Sequence, residues 1–170
     1  LYGDYTLNIA NSQTLALLAE RGLAGTQVGI ELDRDGMTGA VAGFKSFYRQ
    51  TRNRPHGGGF KLGLTVYGAP PLFTSRLLGK HMQLNKTVVS PKNEQFLVKK
   101  RDGLMVTTPE RPFSLLPYQK ELRTIGFDFM VVDTTLMIAS GKEMEVLAGR
   151  INGTGKYMKL PTFNYLGKLE

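Results

Sequence analysis

The chain has 170 residues, 41% of them hydrophobic, and a formal net charge of +8. It contains no cysteine, which excludes disulfides, thiolate zinc sites, cysteine nucleophiles and cysteine-held iron–sulfur clusters within it. No stretch approaches the roughly 20 apolar residues of a membrane span, so no membrane partner and a cytoplasmic location are expected. The basic balance admits a polyanionic partner, RNA included.

In chain order, residues 5–10 alternate and are rich in β-formers, so they read as a strand. Asn11-Ser12 supplies an N-cap, residues 14–21 a helix, and Gly22 its end. A second strand is predicted over 26–32, with Asp33 or Asp35 capping the helix that follows. Across 36–51, Met37, Val41, Phe44 and Tyr48 recur at helical spacing and define an apolar face. Lys45, Arg49 and Arg52 form a separate basic stripe, suited to a solvated face or to phosphate contact. Arg54 belongs to the breaker cluster 53–59. Its glycines precede a strand, where a phosphate-binding loop requires a helix, so they read as a connector.

Leu62, Leu64 and Val66 alternate with Lys61, Gly63 and Thr65, which predicts a strand over 60–67 that delivers Tyr67 to its tip. Pro70-Pro71 stiffens the turn beyond it, and Ser75 and Arg76 follow. Asp102-Gly103 between two β-prone arms predicts a hairpin inserted at about 94–108, with Lys99, Lys100 and Arg101 near its tip. Residues 115–125 read as a short helix ended by Gly126. Residues 127–133 form a strand apolar enough for burial on both faces, as in a parallel sheet. A closing helix over 141–150 and an irregular tail over 154–170 complete the chain.

Strand–helix alternation predicts an α/β domain of four parallel βα units over 4–80 and 111–150, a single domain spanning 1–170 excised from a longer chain. Polar groups then collect at the C-terminal strand ends, where open sheets and barrels keep their chemistry. Glu31, Tyr67, Ser75, Arg76 and Asp133 are the candidate catalytic residues. Glu31 with Asp133 suits an acid–base pair or a hard cation, and a structural Glu31–Arg76 pair is the alternative. Ser75 lies beside a strand end and a cation, with neither histidine placed next to it. Tyr67 reads as a packed aromatic or a proton donor. Exposed strand edges predict association with another copy.

The run Leu7-Asn8-x-x-Asn11-Ser12-x-x-Leu15, then Glu31-Leu32, Tyr67-Gly68-x-x-Pro71-Leu72-x-x-Ser75-Arg76, the hairpin, Pro112-x-x-Leu115-Leu116 and Gly126-x-Asp128-x-x-x-x-Asp133 resembles the second half of the collagenase-like peptidase family U-thirty-two. The resemblance spans about residues 4 to 139. It implies a TIM-like (βα)8 barrel, of which this chain carries the last four strands, with the N-terminal half as its partner. It also implies a hydrolase acting on peptides, inactive as the fragment alone. Other members resemble enzymes that hydroxylate RNA or quinone precursors with a cysteine-held iron–sulfur cluster. Here Tyr67-Gly68-Ala69 stands where the family has a His-Gly-Ala-like strand end, and Pro71 and Leu77 lie near its cysteine positions. No cofactor or metal is expected in this chain. The alternative reading is an RNA-binding or RNA-modification domain using Lys45, Arg49, Arg52, Arg54, Lys99, Lys100 and Arg101.

Overall fold

The computed structural model describes residues 1–50, 59–77, 83–91, 93–135, 140–156 and 159–167. Side chains 48–50 are not part of that description. Arg52, Arg54, His56 and His81 fall outside it, as does the side chain of Arg49. The protein is mixed α/β, with four α-helices among the described residues, and it divides into two compact units.

The first unit comprises Leu1–Val66, Leu115–Val132 and the tail from Thr162. Strands β1 (Tyr2–Gly3), β2 (Gly25–Gln27) and β3 (Lys61–Gly68) lie side by side and parallel, with Tyr2 opposite Gly25 and Gly25 opposite Lys61. Strand β9 (Phe129–Val132) joins β3 on its other side, where Asp128 N donates to Leu62 O at 2.7 Å. The Asp128 carboxylate strengthens this junction by accepting from Leu62 N at 2.9 Å. Helices α1 (Ser12–Glu20), α2 (Arg34–Gln50) and α3 (Gln119–Ile125) complete the unit.

Residues 5–10 do not form the expected strand. Tyr5–Leu7 is a 3-10 turn, capped by Asp4 Oδ1 accepting from Thr6 N at 2.9 Å and ended by Asn8 at φ 49°. Local side-chain bonds and a left-handed Asn divert the backbone from a ladder, so the first strand is displaced to Tyr2–Gly3. The second strand stops at Gln27, although Val28 N still donates to Gly63 O at 3.0 Å. Beyond it, Leu32 N turns back to Gly29 O, and Asp33 Oδ1 caps α2 through Gly36 N at 2.7 Å.

The pleat of β3 separates two environments. Leu62, Leu64 and Val66 point to one face and are at most 1% exposed, as are Leu15, Val41 and Leu122 of the helices. Lys61, Gly63 and Thr65 point to the other. There the Thr65 hydroxyl donates to Gln27 Oε1 at 2.5 Å, and the Tyr2 and Phe129 rings meet edge-on at 5.6 Å. These rings need glycines beneath them. A Cβ on Gly25 would stand 2.7 Å from the Tyr2 ring, and one on Gly63 would overlap the Phe129 ring.

The second unit comprises Tyr67–Ser114 and Asp133–Pro161. The end of β3 pairs antiparallel with β8 (Phe113–Ser114), Tyr67 opposite Ser114, which makes the sheet of β3 mixed. The predicted hairpin is present as β6 (Gln95–Arg101) and β7 (Leu104–Pro109). Its turn residues Asp102 and Gly103 have φ of 50° and 80°, the left-handed pair that a two-residue hairpin loop requires. The insertion is larger than a hairpin. Strands β4 (Phe73–Ser75) and β5 (Thr87–Val89) flank it in the order β4-β7-β6-β5, all antiparallel. Helix α4 (Gly141–Ile151) carries a capping box, with Ser140 and Glu143 each bonding the other's backbone. Among the described residues, no helix is long and apolar enough to cross a membrane.

Candidate functional site

The end of β3 is where the second unit gathers ionisable groups. Asp133 N donates to Tyr67 O at 2.8 Å, so Tyr67 and Asp133 leave adjacent strands together. A Cβ on Gly68 would meet Asp133 O at 3.0 Å, so the glycine permits this close approach. The Asp133 carboxylate accepts from Thr135 N at 2.9 Å, an Asx turn that fixes its orientation.

Tyr67 is buried, 6% exposed. Burial pushes its phenol up, the nearby Arg150 guanidinium pulls it back, and Glu143 adds to the rise. The hydroxyl therefore stays protonated and able to donate at neutral pH. Arg150 is itself only 9% exposed, and its Nε donates to Lys156 O at 3.1 Å. Glu143 is held below its ordinary range by hydrogen bonds from the Ser140 backbone N–H (2.7 Å) and hydroxyl (2.9 Å). Two donors, a phenol and a guanidinium, thus stand near one another, and they suit a carbonyl oxygen or an oxyanion. Arg150 and Glu143 are not among the candidate residues that the strand ends suggest. The sequence carries a signal for them, because Glu143 completes a Ser-x-x-Glu capping box and Arg150 lies seven residues on, along the same helix face.

The other sequence candidates are distributed differently. Ser75 Oγ donates to Leu77 O at 2.9 Å and accepts from Leu77 N at 3.1 Å, so its hydroxyl is committed to a local turn at the end of β4. Arg76 beside it is exposed. Glu31 belongs to the first unit, exposed, with its backbone oxygen accepting from Asn164 Nδ2 at 2.6 Å. Neither the Glu31–Asp133 pair nor the Glu31–Arg76 pair lies within one unit. Among the described residues no group of three or more His, Cys, Asp or Glu is gathered to hold a metal.

Of the basic residues, Lys45 is half-buried, with its ammonium against Gly126, the left-handed cap of α3. A cation there complements the helix C-terminus. Lys99, Lys100 and Arg101 lie at the end of β6, and Arg101 pairs with Asp102 at 3.6 Å.

The first unit carries a cleft of about 110 Å³ at the start of α2, lined by Asp33, Arg34, Asp35, Tyr165, Leu166 and Gly167. Tyr165 is 1% exposed, and burial, together with the Glu121 carboxylate, pushes its phenol up to about 12. Glu121 acts on the phenol as an acceptor, yet the hydroxyl makes no hydrogen bond of ordinary length and angle among the described residues. Arg34 Nη1 reaches Glu121 Oε1 at 3.5 Å.

Alkaline stability follows from this burial. With a folded pKa near 12 against an ordinary 10.0, the folded state keeps a proton that the unfolded chain loses first. The contribution is whole below pH 10 and is lost as pH rises toward 12. Urea midpoints at both ends of that window should fall further for the wild type than for Tyr165→Phe, and parallel curves would show that the phenol is not held this way.

Compared with family models, curated proteins and solved structures, the chain matches none of them.

Proposed function

We propose that this chain is part of a U-thirty-two-like hydrolase of peptides. On this reading it forms four βα units of a (βα)8-like barrel, and the ends of its strands hold the peptide carbonyl. Support for the architecture comes from β1, β2 and β3, which are neighbours in chain order and parallel, with β9 next on β3. The bonds Asp128 N to Leu62 O and Asp133 N to Tyr67 O advance in the same sense along both chains, as in a parallel pair.

The observation that carries the chemistry is the buried Tyr67 phenol at the C-terminal end of β3, within the electrostatic reach of the Arg150 guanidinium on α4. Both groups donate and neither is a nucleophile, so their part in hydrolysis is to bind oxygen as it gains negative charge. Such donors favour a tetrahedral anion over the planar amide.

Titration of the full chain with a short alanyl peptide and with its phosphonate isostere tests this. The phosphonate should bind about 100-fold more tightly or better. Tyr67→Phe should cost it about tenfold and Arg150→Met more, since a charge-assisted bond is lost. Equal affinity for the two ligands, or phosphonate binding untouched by Tyr67→Phe, would remove the assignment.

A further inference from the structure

The segment Thr162–Gly167 returns to the first unit as a tight turn, with Tyr165 N bonded to Thr162 O and Gly167 N to Asn164 O. It is clasped at two points, to the loop after β2 and to the first residue of α2. Tyr165 O accepts from Arg34 N at 2.9 Å, and Asn164 Nδ2 donates to Glu31 O at 2.6 Å. Between these points the Tyr165 ring is driven in against Tyr118, with ring centres 5.1 Å apart.

Two features of this turn oppose the seating that the clasps enforce. The Tyr165 hydroxyl is buried with no hydrogen-bond partner among the described residues, a state water would relieve. Phe163 sits at φ 54°, in the left-handed region that a bulky side chain avoids. An unpaired phenol and a strained residue two positions apart lower the cost of lifting this segment, which withdraws the Tyr165 ring from its contact with Tyr118. We propose that Thr162–Gly167 is a strap that opens locally, ahead of global unfolding. Opening uncovers the first turn of α2, from Asp33 to Asp35, and the ring of Tyr118. The first turn of α2 follows the loop beyond the C-terminal end of β2, so the strap controls access to the end of a strand that runs parallel to its neighbours, where such sheets bind ligands.

The strap makes a prediction that static packing does not. In hydrogen exchange of the full chain, the Arg34 amide reports strap opening, and the Val28 amide, bonded to Gly63 O at 3.0 Å, reports the sheet. Arg34 should exchange at least about tenfold faster than Val28, with almost no dependence on low urea, as local opening does. Tyr165→Phe removes the unpaired hydroxyl and should slow Arg34 exchange about tenfold, whereas Asn164→Ala removes a clasp and should speed it about fivefold. Simple fraying of α2 would not slow when Tyr165 becomes Phe. Equal protection of Arg34 and Val28 with the same urea slope, or an Arg34 rate unmoved by Tyr165→Phe, overturns the strap.

Discussion

Gly63→Ala is expected to destabilise the protein by about 3 kcal/mol, at the upper end of what one added methyl does in a packed interior. Its Cβ would project from the central strand into the Phe129 ring. Neither side yields easily. Gly63 is fixed in the ladder by its place opposite Gln27 and by Val28 N donating to its carbonyl, and Phe129 is seated against Tyr2. The strain should therefore be relieved at Phe129. Phe129→Leu added to Gly63→Ala should recover stability relative to the glycine variant alone, a coupling of the kind neighbours show. Urea unfolding of the two single variants and the double variant reads both quantities. A shift below about 1 kcal/mol for Gly63→Ala, or strict additivity with Phe129→Leu, would mean the ring does not occupy that space.

That glycine marks where the sequence could and could not be read. The alternation of Leu62, Leu64 and Val66 over a long strand identifies β3 and its buried face directly, because period two has room to repeat. The Asp-Gly turn is equally plain, since few other pairs tolerate two successive positive φ values. Strands β4 and β5 have three residues each and are held by the hairpin they flank, so no period could announce them. Tyr5 to Leu7 carries strand propensity that Asp4 and Asn8 override through bonds only a few residues long. At the site, Tyr67 and Asp133 are strand ends and follow from the strands themselves. Arg150 and Tyr165 depend on where a helix and a returning tail come to rest, which is tertiary information. Gly63 is of this second kind too, because its need for a bare backbone comes from an aromatic ring 66 residues away in sequence.

The neighbouring residue tests the opposite face by the opposite change. Leu64 is 0% exposed, on the buried face of β3 that it shares with Leu62 and Val66. Leu64→Ala should cost about 3 to 4 kcal/mol, from lost transfer free energy together with the cavity left behind. Against a total of about 5 to 15 kcal/mol for a domain this size, the variant should unfold at a much lower urea concentration with an unchanged slope. Methionine at position 64 should restore most of the loss, because it nearly conserves volume. The same methionine at position 63 should be worse than alanine, because there the space is already taken by Phe129. Adjacent residues on one strand thus respond with opposite sign to added bulk, and this follows only if β3 is covered on both faces. A methionine tolerated equally at 63 and 64 would show that one of the two faces is open.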